Sequence, residues 1–448
     1  MTAHDQSTLR ESAVRHLQEL IRRDTQSPPG NEIRAAEYIR DALAEAGIES
    51  EFMESAPGRV SVVARLKAEN PTGRPVLLMG HIDVVTVEPD KWERDPFSGD
   101  LVDDFVWGRG AVDMKGQVAA ELAAFIAIKE SGVALTRDLI FVAFADEEAG
   151  GTYGAGYVWE NHKDLIDAEF AINEGGGNPM EIAGKLFYAC QVAEKGACRL
   201  KMTVRGEPGH AAIPKSGTAM EKLGPALQRL HEWEAPTILT ATVRQMLEGI
   251  AGALDGDAAQ AINRILETGT LTWDDVRALP MPENEQTALY ATTHNTIRPT
   301  IIQGGQRVNV IPSEITVQID ARILPGVNPK AFRQEIQDVV GDLAEIDFLS
   351  DRQESGLEAD PNSPFFEAIK ATMAEMMPEA TVIPVMSWGG TDAGHLPDIK
   401  VYGFFPLLPT ERAALYETLM HGHNERVHVD DLGFATQFLH DLVIRTCT

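Results

Sequence analysis

The stretch LIFVAFADEEAGG, Leu139–Gly151, breaks from an apolar run directly into acids and glycines. Leu139 to Ala145 reads as a β-strand. Asp146, Glu147 and Glu148 then stand side by side at its end, where mutual repulsion is costly unless cations are near. The same grammar recurs on either side. Strand-like runs cover Val60 to Leu66, Val76 to Met79 and Phe170 to Ile172, and the last two lead into GHIDVV and NEGGG. Helical spacing marks Leu9 to Ile21, then Ile33 to Leu43 with Asn31 as its expected N-cap, and Gly116 to Lys129. This alternation predicts an α/β domain with a mostly parallel sheet flanked by helices. In open sheets of that kind ligands bind beyond the carboxyl ends of the strands. His81, Glu147, Glu148 and Glu174 all follow strands, so that crevice is where they are expected to meet.

From about Cys198 the pattern changes to a strand (RLKMTVRG), a helix (Ala219 to Glu232), two strands (Asn295 to Gln303 and Glu314 to Ala321), a helix (Lys330 to Val340) and a strand (Glu345 to Ser350). That βαββαβ order is the split arrangement of ferredoxin-like domains. Between its first helix and second strand, Pro236 to Tyr290 is rich in Ala and Leu and is expected to be a helical elaboration. The chain turns helical again at Phe365 to Met376. A length of 448 residues with 44% hydrophobic residues suits two domains, or one carrying a large insertion. The expected boundaries are 1–196 for the first part of one domain, 197–356 for the inserted ferredoxin-like domain and 357–448 for the return to the first.

Lys and Arg number 39 against 68 Asp and Glu, a formal net charge of −29. Such a field repels phosphate backbones and anionic headgroups, which argues against nucleic acid and membranes as partners. Cys190, Cys198 and Cys447 lack C-x-x-C spacing and are odd in number, so buried free thiols in a reducing compartment are expected. The charged, amphipathic N-terminal stretch has no apolar signal region, and no apolar run long enough to span a bilayer follows. A cytoplasmic protein is the expectation.

GHIDVV sets His81 and Asp83 on one side of an extended chain, because side chains alternate along a strand. A metal-binding imidazole usually hands its other ring N–H to a carboxylate, and Asp83 is placed for that. Asp113 lies in the glycine-punctuated WGRGAVDMKG just before a helix, where an isolated aspartate would be only a cap. In this company its two oxygens could bridge two cations. If the strand continued through ADEEAGG, Glu147 and Glu148 would point opposite ways, one toward metal and one toward water as general base. Glu174 follows a strand and precedes glycines that permit close approach. In MHGHNERVHVDDL, His421 is the expected ligand, with His423 and His428 as weaker candidates.

The ordered set GHIDVV, GRGAVDMKG, DEEAGG, INEG and HGHNER resembles, over essentially the whole chain, the co-catalytic zinc metallopeptidases and amidohydrolases. That family includes aminoacylase-1, carboxypeptidase G, carboxypeptidase S, acetylornithine deacetylase and succinyl-diaminopimelate desuccinylase. The resemblance implies that Asp113 bridges two metal ions, that Glu174 goes with His81 and Glu148 with His421, and that Glu147 is the general base. It implies that the ferredoxin-like domain is a lid that also forms a homodimer. His210, in RGEPGHAAIP, is similar to the lid histidine that stabilises the oxyanion. Asn309 and Arg322, in NVIPSEITVQIDAR, and Gly390, Thr391 and Asp392, in SWGGTDAGHL, resemble groups that hold the substrate's oxyanion or free carboxylate. Many relatives carry an arginine or tyrosine where this chain has Gly394 or His395, which leaves substrate choice open.

The implied chemistry is hydrolysis of the amide bond of small peptides or N-acyl amino acids with a free carboxylate. Water activated between two divalent ions attacks the carbonyl, and Glu147 takes its proton. Mixed His and carboxylate ligands suit Zn2+, while Co2+ or Mn2+ also fits. Two other classes stay open on the residues alone: a non-catalytic metal-binding scaffold of the same fold, and a binuclear phosphoesterase. The first would have lost a ligand or the base, and the second would need a basic cradle for phosphate that this acidic chain does not display.

Overall fold

The computed structural model describes residues 6–277, 279, 283–350 and 355–448. Met1–Asp5 of the charged N-terminal stretch, and positions 278 and 280–282 of the extra helical segment, lie outside the described residues. The chain divides into two compact units, one made of Met1–Val192, Ala359–Pro384 and Thr391–Thr448, the other of Ala193–Glu358 and Val385–Gly390.

The first unit is built on one large mixed sheet. Its strands lie in the order Ser50–Ala56, Arg59–Leu66, Leu139–Phe144, Val76–His81, Phe170–Asn173, Lys400–Gly403 and Lys185–Glu194. The central four are mutually parallel, with Val76 opposite both Leu139 and Phe170, and Phe170 opposite Lys400; pairings outside them are antiparallel. Val76–His81, Leu139–Phe144 and Phe170–Asn173 are buried on both faces, as helices on both sides require. In Leu139–Phe144 the odd-numbered positions Leu139, Phe141 and Ala143 join one core, and Ile140, Val142 and Phe144 join the other. The first core is covered by the helices Gln6–Ile21, Ile33–Glu45, Lys115–Ser131, Pro364–Met376 and Val429–Cys447. The second packs against Tyr157–Ile166. This is the α/β architecture expected from the alternation of runs.

Local chemistry departs from expectation at the second helix. Asn31 does not cap it; the N-cap position is Glu32, with no side-chain cap bond. The Glu32 carboxylate is fully buried and paired with Arg59 at 2.8 Å, and a buried charge holds to its ion partner rather than to a helix end. The three cysteines are free and buried. Among the described residues no helix is long and apolar enough to cross a membrane.

The second unit is a βαββαβ fold made of Leu200–Arg205, Ala219–Glu232, Thr296–Gly304, Glu314–Ile323, Pro329–Val340 and Glu345–Phe348. In its sheet Glu314–Ile323 lies between Thr296–Gly304 and Leu200–Arg205, and Leu200–Arg205 pairs on its other side with Glu345–Phe348, all antiparallel. Leu200, Met202, Val204, Val317 and Ile319 form one face and pack on Phe332 and Ile336 of one helix and Ala226 and Leu230 of the other. The extra segment is helical at Ala241–Ala253, Gly256–Thr268, Trp273–Arg277 and Glu283–Thr293.

Candidate metal centre

Three strand ends, the loop before the helix Lys115–Ser131 and one distant turn supply the acid and imidazole groups. His81 closes its strand, and the backbone beside it is crowded. A Cβ on Gly80 would stand 2.7 Å from Met114 Cε and 2.9 Å from Val118 Cγ2, so glycine lets the helix after Asp113 lie directly against the His81 strand. His81 is 1% exposed. Its Nε2 lies 3.1 Å from Asp113 Oδ1, 3.9 Å from Glu174 Oε1 and 4.0 Å from Glu147 Oε2. On the other side of Asp113, Oδ2 stands 3.0 Å from His421 Nε2, which is itself 3.2 Å from Glu148 Oε2. Two ligand sets result, His81–Asp113–Glu174 and Asp113–Glu148–His421, each with its donor atoms within 4.8 Å of one another. Asp113 belongs to both.

The turn that presents Glu147 and Glu148 differs from the extended segment expected. Asp146 adopts φ +71° and the residues Glu147–Ala149 form a 3₁₀ turn. Asp146 leaves the cluster: its Oδ1 takes a 2.6 Å bond from Arg59 and its Oδ2 accepts the N–H of Tyr153 at 2.7 Å. The turn's first N–H groups would be orphaned in the usual way of helix starts. Here Asp83 accepts them, Oδ1 from Glu147 and Oδ2 from Glu148, both at 3.1 Å. Asp83 also approaches His81 as expected, but less directly than its own backbone does. His81 Nδ1 is 3.0 Å from the Asp83 carbonyl oxygen and 3.5 Å from the carboxylate.

The acids of the cluster repel one another, and the two imidazoles oppose that repulsion. Burial, then repulsion by Asp113, lifts the Glu148 carboxyl to about 7. Burial likewise pushes Glu174 well up, with Asp113, Glu147 and Asp392 adding to it and His81 opposing. Burial alone would raise Asp113, but its hydrogen bonds with His421 and His81 hold it well below the usual carboxylate range. The bond to Asp113 carries His421 up to about 9. Burial works against a charged His81, yet Asp113 and Asp83 raise it well above its ordinary value. Glu148 Oε1 is buried and has no hydrogen-bond partner among the described residues. An orphaned carboxylate oxygen, imidazole nitrogens and surplus negative charge are the donor set that a pair of divalent cations satisfies.

The remaining expected residues belong to neither ligand set. His423 Nε2 lies 3.6 Å from Glu88, and His428 caps the last helix by accepting the Asp430 N–H at 3.1 Å, so both do local structural work. Thr391 accepts Asn173 Nδ2 at 3.0 Å in the first unit. Asp392 beside it is 3% exposed, and neither carboxylate oxygen has a hydrogen-bond partner; burial, then Glu147, pushes its carboxyl well up. His395 Nε2 reaches the Gly150 carbonyl at 3.0 Å. His210, Asn309, Arg322 and Gly390 belong to the second unit. There His210 is exposed and pairs through its backbone with Val310, the Asn309 carbonyl accepts the Ala211 N–H at 3.1 Å, and Arg322 Nε donates to Asp320 at 2.9 Å.

Sequence reasoning missed Arg109 and Glu425. They form a buried pair at 2.7 Å, with side chains 3% and 0% exposed, joining the Asp113 loop to the His421 turn. The only signal available was that each sits inside a motif already singled out.

The parallel-centred α/β sheet thus carries at its strand ends two histidine–carboxylate sets that share Asp113 and could each hold a metal ion. The chain belongs to the peptidase family M20/M25/M40, whose pattern matches residues 77–445. It is similar to probable carboxypeptidase S-like 2 of Dictyostelium discoideum, 27% identical over 398 residues that make up 86% of this chain and 74% of that protein. It is also similar to aminoacylase-1B of Rattus norvegicus, 26% identical over 425 residues, 93% of this chain and 90% of the relative. Among solved structures, a dinuclear metal-binding peptidase of the same family from Bacillus subtilis superposes with a TM-score of 0.60 at 15% identity, covering 98% of both chains.

Proposed function

We propose that this protein hydrolyses the amide bond of short peptides or N-acyl amino acids that carry a free carboxylate, using two divalent cations, with zinc the best match to the donors. The observation that carries the reading is the sharing of Asp113 between His81 with Glu174 and His421 with Glu148, with Glu147 Oε2 4.0 Å from His81 Nε2. When bound, such ions polarise a carbonyl and make water a competent nucleophile near neutral pH. His81 and Glu174 would hold one ion, His421 and Glu148 the other, and Asp113 both. Glu147, held by its N–H on Asp83, takes the proton of the attacking water and returns it to the leaving amine.

Asn309, Arg322, Gly390 and Thr391 are assigned to the substrate's oxyanion and carboxylate, a guanidinium fork suiting the latter, and His210 to oxyanion stabilisation. The ferredoxin-like unit is assigned the lid role and the interface of a homodimer, with the domain limits 1–196, 197–356 and 357–448. Cytoplasmic residence is proposed on the free, buried cysteines. The names of the carboxypeptidase S-like and aminoacylase relatives favour dipeptides and N-acyl amino acids as substrates.

The test is to load the protein with zinc or cobalt and incubate it with a library of dipeptides, N-acyl amino acids and phosphoesters, with mass spectrometry of the products. Amide cleavage restricted to substrates with a free carboxylate is the expected result. Turnover of phosphoesters alone, or of nothing, would sink the reading.

A further inference from the structure

We propose that Arg109 and Glu425 are positioning residues that fix the separation of Asp113 and His421, and so set the cation affinity of the half-site that His421 completes. This rests on the two-ion reading above. Neither residue touches a ligand atom. They act on the backbone of the two segments that carry ligands.

Glu425 uses both oxygens on the Asp113 loop. Its Oε1 accepts the N–H groups of Val112 at 2.7 Å and Asp113 at 3.0 Å, and its Oε2 accepts Gly110 N–H at 3.0 Å together with Arg109 Nη1 at 2.7 Å. Arg109 turns its other nitrogen to the opposite segment, where Nη2 donates to the carbonyls of Gly422 at 2.8 Å and His421 at 3.4 Å. The guanidinium lies over Trp92, 5.3 Å from the ring centre. All these bonds end on the two ligand-bearing segments or within the pair itself.

The His421 turn has a reason to need such a clamp. His421 sits at φ +57° and Asn424 at φ +61°; asparagine accepts the left-handed region readily, whereas for the histidine it is a cost that the surroundings must offset. Arg109 grips the carbonyls at that bend. A buried ion pair is a poor device for stability alone, since well-packed apolar residues serve as well. What it supplies is direction: a carboxylate that gathers several N–H groups and a planar fork that holds two carbonyls define the relation of two chain segments far apart in sequence.

The experiment is a cobalt titration of the whole metal-free protein by calorimetry and visible absorption, with circular dichroism to show that each variant is folded at the titration temperature. Wild-type protein should take two cobalt ions. Glu425→Gln keeps the shape but removes the charge and half of the acceptor capacity, and should weaken the site that His421 completes about 10–100-fold, as losses behind a ligand do, and the other site, which shares Asp113, much less. Its cobalt spectrum at one equivalent should match that of His421→Ala and differ from that of His81→Ala. Arg109→Lys keeps a charge opposite Glu425 but loses the fork, and should show the same selective loss; it decides the matter if Glu425→Gln does not fold. Both sites unchanged, or both weakened equally, in a folded variant would overturn the proposal while leaving the two-ion reading intact. Wild-type protein that takes fewer than two ions would overturn that reading and this inference with it.

Discussion

The carboxylate of Asp83 accepts the backbone N–H of Glu147 at 3.1 Å, so one fully buried side chain both flanks His81 and anchors the turn that carries the candidate general base. Its second oxygen holds the N–H of Glu148. Replacing it disturbs a ligand on each side of Asp113 and the base between them. Asp83→Ala should lower metal affinity by about 10–100-fold, the usual loss when a group behind a ligand is removed. Competition with a chelator of known affinity measures this, and affinity equal to wild type would remove Asp83 from that role.

Glu147 belongs to neither ligand set, although its Oε2 comes within 4.0 Å of His81 Nε2. Its removal should therefore separate binding from chemistry. Glu147→Ala should keep its full complement of metal and lose roughly 10²–10⁴-fold in kcat, the range for a positioned acid–base group. Metal analysis alongside steady-state kinetics checks both halves, and near-normal hydrolysis would show that another group moves the proton.

How much of this centre could be read from the chain follows from the range of the forces involved. His81, Glu148 and Glu174 were legible because a strand is a local pattern and its carboxyl end is a predictable place for polar groups. The βαββαβ unit was legible for the same reason. What the residues alone did not disclose depends on partners far along the chain. Asp146 looked like a third member of the acid cluster until Arg59 drew it away. Asn31 looked like a cap, and the ion pair of Glu32 with Arg59 fixes that helix start instead. Arg109 and Glu425 have no periodicity to betray them, since what unites them is a contact between distant loops. Strand alternation was expected to turn Glu147 and Glu148 opposite ways; a 3₁₀ turn held by Asp83 instead brings Glu147 near His81 and Glu148 near His421.

Metal binding and the metal centre's share of stability should both depend on pH, with a determined sign. Glu148 is lifted to about 7, so it is about half protonated at neutral pH, and Glu174 is moved in the same direction; a cation must displace the protons they hold. Binding should release protons and affinity should rise with pH. Calorimetry in buffers of differing ionisation enthalpy counts the protons, and none released would contradict the assigned environments. For the fold itself, a carboxyl whose value rises from 4.5 to about 7 destabilises as pH climbs through that window. His421, raised from 6.5 to about 9, contributes stability that is complete below the lower value and lost as pH passes the upper. The two act in the same direction, while Asp113, held low, opposes them only in strong acid. Elsewhere Lys115 and Lys195, which burial lowers to about 7, and His16, lowered to about 4, work the other way, so the share of the metal centre is read as the difference that zinc makes to thermal melting: between about pH 5 and pH 9 the stabilisation by zinc should grow as pH rises.

Glu174 is placed by a contact that leaves no room for a side chain. A Cβ on Gly403 would stand 2.0 Å from the Glu174 carbonyl oxygen and 3.0 Å from Gln191 Cβ, so the strand Lys400–Gly403 can run beside Phe170–Asn173 to its end only with glycine there. Because the obstacle is backbone, a substitution must move the Glu174 segment rather than a flexible side chain. Gly403→Ala should cost about 1–3 kcal/mol in the overpacking range and should weaken the half-site of His81 and Glu174 more than that of His421 and Glu148. Cobalt titration resolves the two sites and chemical denaturation in chelator gives the stability. Equal weakening of both sites would mean that the strand end moves as a whole, and that Gly403 does not set Glu174 in particular.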